Sequence, residues 1–492
     1  MEIRRLGNGW LFVVLVGVPV ALYVMACGSP QGRPAPDPAW GLPSGLATRQ
    51  EITELRLPSS VSRVDWLSPK LRKLSLAHAA ITSLRGLPPG LDDLDASNTQ
   101  ITSLEGMPKG LKSLDLSWTV VEDLKPLPQR LVKLSLAGRR IRSLEGLPFT
   151  LKMLELQETR IGDLRGLPTS LETLTLSGTA PDSLEGLPPG LRDLHLEGTL
   201  VRSLDGLPPE LRRLRLINNW QLSAVGRLPD SVNRLAVDRF LLPPFDNLFN
   251  LKALSVVRAG HSVPLPNTLS ELTLDLSSDP EDQLRKPPPE LDNPPPSLRS
   301  LVLVGATLER VPKLPESLES LYLDWFGDKM LPDLPPSLRS LGLRWSKVES
   351  LEELPESVRF LELSASAVRS LQGVPSGLEE LHFHWSPLLD TGPFIPSLKI
   401  LDLAGSGNLS KLGKLPDGLT DLDLSGTQVA DLKGLPKSLR RLDISNSKVD
   451  SLAGLAGLQH LESLTLHAGQ ISSLADLPPS VTSLSIVDKV SE

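Results

Sequence analysis

The chain has 492 residues, a formal net charge of −7 and a single cysteine. That balance lacks the basic footprint nucleic-acid binding requires, and one cysteine leaves no internal disulfide. Proline is abundant, at 46 residues, and aromatics make up only 4%, which disfavours a β-sandwich or an α/β enzyme core.

The N-terminus reads MEIRRLGNGWLFVVLVGVPVALYVMACGSP. Arg4 and Arg5 make a positive n-region, Trp10 to Ala26 is apolar and uncharged, and the small Ala26 stands before Cys27. This is the layout of a secretory signal over residues 1–26. The VMAC tetrapeptide at Val24–Cys27 resembles the lipobox of bacterial lipoproteins. That resemblance implies cleavage before Cys27 and its acylation. The alternative is an uncleaved single-pass anchor, although Pro19 interrupts the run and its length is at the short edge for a bilayer. Either way the rest of the chain is expected outside the membrane, at the bacterial cell envelope, on the outer membrane or the periplasmic face. Residues 27–51 are rich in Pro and Gly and read as an unpacked tether.

Residues 52–488 repeat. Leu71, Leu91, Leu111, Leu131, Leu151, Leu171, Leu191 and Leu211 recur every twenty residues. The spacing wobbles through Val232, Leu251 and Leu269, then recovers from Leu298 to Val481. The unit is L-x-x-L-x-L-x-x-T-x-I-x-x-L-x-G-L-P-x-x. Its LxL core predicts a short strand, with Leu94 and its equivalents pointing in and the residues between them pointing out. The LP that follows turns the chain back, and the short circuit leaves the return extended or polyproline-like. One unit buries too little to offset the entropy of ordering it, so the units must stack. The predicted fold is therefore a mostly β solenoid of the α/β type. It carries one parallel sheet roughly 100 Å long on its concave side and thin returns that imply a shallow arc. Residues 277–297, SSDPEDQLRKPPPELDNPPPS, are expected as a Pro-rich insertion, and 489–492 as a tail.

These residues are those of leucine-rich repeats, and the short LPxxLxxLxL unit resembles the bacterial "LPX" class. The resemblance implies a horseshoe that binds partners on its concave face. Where that repeat carries asparagine, this chain usually has a hydroxyl: Thr99, Thr119, Thr159, Thr179, Thr199, Ser406, Thr427 and Ser447, with Asn219 the exception. A threonine can still bond the turn's backbone, with one donor fewer than an amide. Members of the class that are ubiquitin ligases use a catalytic cysteine in a further domain. Here the only cysteine lies in the signal, so that chemistry is not expected.

In such a solenoid, repeat positions three, five, seven and eight are expected to face a partner. Three clusters occupy them. Trp325, Trp345 and Trp385 share position eight with Trp118, and Tyr322, Asp324, Arg344, His382 and His384 lie on the same rungs. A Trp/Tyr/Arg set is what binding hot spots use, and these eight residues from Tyr322 to Trp385 are the expected partner contacts; the alternative is that each indole walls its neighbouring rung. Asp402, Asp423 and Asp443 stack at position five, as do Asp95 and Asp115. They read as solvated surface or as contacts for a cation or a basic partner, with catalysis a distant third reading. His382 and His384 share a strand face, yet His195, His460 and His467 lie too far away to add a third ligand, so no metal site is assigned. No cofactor motif appears. The sequence thus points to a non-catalytic exported protein that binds a protein or glycan, not nucleic acid. The alternative is a structural spacer or self-associating scaffold of the envelope.

Overall fold

A computed structural model describes residues 5–6, 9–10, 38–138, 141–243, 245–259, 263, 265–276, 291, 293–304, 311–385 and 395–489. Cys27 lies outside the described residues, as do most of the expected signal, the tether as far as residue 37, and most of the expected 277–297 insertion. Within 1–37 the described residues are a two-residue antiparallel pair, β1 (Arg5–Leu6) with β2 (Gly9–Trp10). Among the described residues no helix is long and apolar enough to cross a membrane.

The repeats form a parallel β-solenoid. Each turn supplies one strand, from β3 (Glu54–Arg56) and β4 (Lys73–Ser75) to β24 (Ser483–Val487), and successive strands pair in parallel, leucine opposite leucine: Leu94 with Leu114, Leu114 with Leu134. Within a turn, Leu111, Leu114, Leu116, Val121, Leu124 and Leu127 are all at most 3% exposed, and they join the turns above and below in one continuous core. The returns are extended segments and tight turns, with no α-helix among the described residues. This is what twenty residues per circuit permits.

Hydroxyl groups stitch the turns. The buried Thr99, Thr179 and Thr427 donate to the position-six carbonyls of their own turns, Ala96, Leu176 and Leu424, at 2.6–2.7 Å. Asn219 does more: its amide donates to Leu196 O on the previous turn (2.6 Å), and its carbonyl accepts the Thr199 N–H (3.1 Å) and hydroxyl (2.7 Å). A second series sits just before the first leucine of several turns. Ser170, Ser337 and Ser438 each bridge backwards to two carbonyls of the preceding turn at 2.5–2.8 Å. Burying a backbone carbonyl without a partner costs about 1–3 kcal/mol, so these serines stabilise the side of the repeat where the ladder has not yet begun.

The expected shallow arc closes into a ring. β24 pairs in parallel with β3, placing Ser483, Leu484 and Ser485 opposite Glu54, Leu55 and Arg56, so the twenty-two strands form one closed sheet. The seam repeats the regular geometry: Thr53 N and Glu54 N donate to Thr482 O at 2.9 and 3.1 Å, as Arg72 N and Lys73 N do to Thr53 O at 2.8 and 3.1 Å. Residues 38–49, expected as part of an unpacked tether, brace it. Trp40 and Leu46 are buried, Ser44 bridges Ser473, Gly469 N donates to Gly41 O (2.7 Å), and Asp488 accepts from the Ser59 N–H and hydroxyl. Solenoid curvature is the sum of a small rotation per repeat, and about 16° per rung suffices to close twenty-two of them. Thin returns therefore do not keep the arc open once the rungs are this many. At about 4.8 Å per strand the sheet has a circumference near 106 Å and a diameter of roughly 34 Å. The sheet lines the inner wall, since shallow concavities of about 260, 270 and 230 Å³ lie over side chains at positions three and five.

Candidate functional site

Positions three and five project from the strands onto the inner wall, whereas position eight follows the strand and lies on the rim where strands end. Position seven varies: Ser117, Asp324, Ser364 and Ser445 are all under 10% exposed, whereas the side chains of Arg344 and His384 are 42% and 33% exposed. Position eight adopts left-handed backbone in most turns, because its N–H must reach the position-seven carbonyl of the next rung. Gly138, Gly178, Gly405, Gly426, Asn98 and Asn446 fill it in several turns, as that conformation favours, and His78, Glu158, Arg258 and Ala365 in others. Trp118, Trp325, Trp345 and Trp385 hold it at φ of 60°, 63°, 52° and 49°. A bulky residue there is strained by about 1–3 kcal/mol, and strain of this kind concentrates at functional sites.

Trp325 and Trp345 stack, with ring centroids 5.2 Å apart and planes within 16°, and are 51% and 40% exposed. Arg344 lies over the Trp345 ring at 5.6 Å. Asp324, expected as a partner contact, is instead buried at 2% exposure and grips the Arg344 guanidinium with both oxygens, at 3.0 and 2.6 Å. It sets the arginine in place and does not itself reach a partner. Trp385 lies over Gly405, where a Cβ would come within 2.2 Å of the indole, so glycine there is a requirement of close approach. Tyr322 covers Gly342 in the same way and reaches Phe360 (6.2 Å), which touches His382 (5.2 Å). The predicted residues from Tyr322 to Trp385 thus form one neighbourhood of inner wall and rim.

A second group of the same construction escaped the sequence reading. Trp220 and Phe240 stack at 5.2 Å, Arg258 lies over Trp220 at 4.9 Å, and Arg258 pairs with the fully buried Asp238. Both groups place a buried Asp at position seven, an Arg from the next rung above it and an indole against the Arg. Trp220 and Phe240 stand at positions ten and nine of their repeats, outside the positions expected to face a partner. The aspartate–arginine–aromatic grouping is the signal that could have found them.

The histidines and the acidic ladder, read separately from sequence, meet in space. β19 (Glu380–His382) pairs with β20 (Ile400–Asp402), which sets His382 opposite Asp402. Asp402 Oδ2 lies 3.5 Å from His382 Nδ1 and bonds His384 Nε2, while its Oδ1 accepts the Ala404 N–H at 3.0 Å. Burial disfavours the Asp402 carboxylate, but bonds from His382, His384 and Ala404 outweigh it and hold the group well below the usual carboxylate range. The same bonds to Asp402 raise both imidazoles above their ordinary value. The third ligand that the sequence reading lacked is therefore Asp402: one donor atom from each of His382, His384 and Asp402 lie within 4.8 Å of one another.

Asp423 and Asp443 continue the ladder on the next two rungs, β21 (Asp421–Asp423) and β22 (Arg441–Asp443). Burial, with help from neighbouring carboxylates, pushes Asp423 up to about 6 and Asp443 up from its ordinary value. Each accepts the N–H two residues on, at 2.7 and 2.8 Å, as Asp95 and Asp115 do. Position-five aspartate thus closes the strand end, a structural task that explains its recurrence. The positive stretch of the wall at Arg213, Arg215 and Arg234 is paired with Asp193, Glu197 and Glu271.

No protein-family profile matches the sequence, and no curated protein matches it. Among solved structures the chain is similar to YopM from Yersinia enterocolitica WA-314, at 26% identity over 88% of this chain and 91% of that one, with a TM-score of 0.41. It is similar to CroV588, described as a novel circular leucine-rich-repeat protein structure, at 18% identity over 88% and 69%, with a TM-score of 0.43. A third is the TLR13–ssRNA13 complex, at 17% identity over 88% and 76%, with a TM-score of 0.45. At these TM-scores ring closure and the site rest on this chain's own geometry.

Proposed function

We propose that this chain is a non-catalytic docking ring, held outside a bacterial membrane through Cys27, which binds a protein partner along its aromatic rim and the adjoining inner wall. The observation that carries the reading is the set of half-exposed tryptophans at left-handed positions, where glycine or asparagine would serve the fold better. Large, rigid side chains held by buried Asp–Arg pairs are preorganised for contact, which lowers the entropy lost on binding. The surface runs from Trp220 to Trp385 and includes Tyr322, Arg344, His382 and His384. The lipobox at Val24–Cys27 and the LPX-like repeat support the lipoprotein and bacterial parts of the proposal.

The scaffold alternative loses ground to closure. An open solenoid exposes a sheet edge at each end, ready to pair with another copy, and a closed ring has none. The test is affinity capture from envelope extracts with the wild-type chain and with a Trp325→Asn, Trp345→Asn, Trp385→Asn variant. A protein retained by the first and lost by the second supports the proposal. Equal retention contradicts it, and competition by free glycan would reassign the ligand. Mass spectrometry of the mature N-terminus tests the anchor: an acylated Cys27 is expected, and an intact Met1 contradicts the lipoprotein reading.

A further inference from the structure

We propose that His382, His384 and Asp402 form a site for a divalent transition-metal ion, best suited to Zn²⁺, on the inner wall of the ring. The donors are two imidazole nitrogens and one carboxylate oxygen, drawn from two adjacent rungs and gathered within 4.8 Å. Parallel register imposes the gathering: position five of one strand faces position five of the next, and the position-seven histidine follows on the same side. Small rotations about the side-chain bonds bring such atoms to the 2.0–2.2 Å that zinc takes from nitrogen and oxygen. The hydrogen bonds now joining them to Asp402 Oδ2 mark the volume an ion would fill.

The surroundings fit an ion rather than an ordinary surface triad. The second carboxylate oxygen of Asp402 is fixed by the Ala404 N–H, which leaves Oδ2 directed at the imidazoles, the kind of outer support that orients metal ligands. Phe360 backs His382 and Trp385 meets His384 edge-on at 6.3 Å, so both rings are held. Glu362 flanks His382 on one side, and Asp423 stands on the rung beyond Asp402, so the charged groups in register with the donors are acidic. Three protein ligands leave coordination open towards the lumen for water or a group presented by a partner. Calcium and magnesium, which take six or more oxygens, are poorly served by two nitrogens and one carboxylate. Metal uptake is independent of the docking proposal, and the two can fail separately.

The full chain, without a histidine tag and cleared of metal by a chelator, is titrated with ZnCl₂ at pH 7.5 by calorimetry, with CaCl₂ as control. One Zn²⁺ per chain with micromolar or tighter Kd, and no heat from Ca²⁺, is expected. His384→Gln and Asp402→Asn are each expected to weaken Kd at least tenfold while circular dichroism stays unchanged, and Trp325→Asn with Trp345→Asn to leave it as it was. Co²⁺ bound by the wild-type chain should show the strong visible absorption of a four-coordinate site, a readout that needs no variant. Absence of saturable Zn²⁺ binding, a featureless Co²⁺ spectrum, or binding unaltered in folded His384→Gln and Asp402→Asn would overturn the assignment.

Discussion

Replacing Trp118 by asparagine separates an indole displayed for contact from one that walls the fold. Trp118 is 48% exposed, sits at φ 60°, and rests beside Gly138, with no aromatic partner among the described residues. Trp118→Asn removes about 100 Å² of buried apolar area, worth about 2.5 kcal/mol at 25 cal/mol per Å², of which the asparagine recovers a part. Against that loss, the left-handed backbone costs asparagine less than tryptophan, by about 1–2 kcal/mol. The two effects nearly cancel, leaving a change within about 1 kcal/mol of zero. Trp66→Ala provides the contrast, because Trp66 is 1% exposed and its loss should cost about 3–5 kcal/mol. Trp345→Asn falls between them. It also loses the stack on Trp325 and the Arg344 contact, for a net cost of about 1–2 kcal/mol. Hydrogen exchange reads these differences locally, at the Leu116 N–H bonded to Ser135 O and the position-118 N–H bonded to Ala137 O. Protection within about fivefold of wild type is expected for Trp118→Asn, since 1 kcal/mol corresponds to about that factor. A loss above a hundredfold would refute the argument and make the indole part of the wall.

Asn219→Ala should cost about 2–4 kcal/mol, because it strands the Leu196 carbonyl and the Thr199 N–H on a buried turn, and exchange at Thr199 should accelerate accordingly; unchanged exchange would contradict the bridging role. Asp423 gives a pH signature. Its folded value of about 6 exceeds the ordinary 3.8, so between roughly pH 4 and 6 the folded protein keeps a proton that the unfolded chain releases. Stability falls across that window as pH rises, by up to about 3 kcal/mol, and the cost persists at neutral pH. Asp423→Asn should therefore raise the urea midpoint at pH 7.5 and have little effect near pH 4. A pH-independent difference would refute the buried-carboxylate account.

Sequence periodicity made the local fold legible because period-two alternation and an LP turn leave a twenty-residue circuit few options. Leu94, Leu114 and their equivalents are buried as the pattern requires, and the threonines of position nine bond the turn as expected. Closure was not legible, since it depends on a rotation of about 16° per rung accumulated over the whole array and on Gly41, Ser44 and Asp488 meeting partners more than 400 residues away. At the site, spacing correctly grouped Trp325, Trp345 and Trp385. It misjudged Asp324, because that carboxylate is drawn inside to hold Arg344 of the next rung, whereas Arg344 and His384 at the same repeat position stay partly exposed. It also kept His384 and Asp402 in separate clusters, since only the register of β19 on β20 reveals that they touch. Trp220 was missed because it stands at position ten, outside the positions expected to face a partner.

The ring itself is tested most directly by a disulfide across the seam. Arg56 and Ser485 are Cα partners on β3 and β24, and neighbouring strands lie at a spacing a disulfide spans. In a Cys27→Ser background, Arg56→Cys with Ser485→Cys should oxidise within single chains, giving a monomer whose non-reduced mobility changes and whose free thiols disappear. An open arc would hold the two positions tens of ångströms apart. Thiols that stay free, or that link only between chains, would contradict closure.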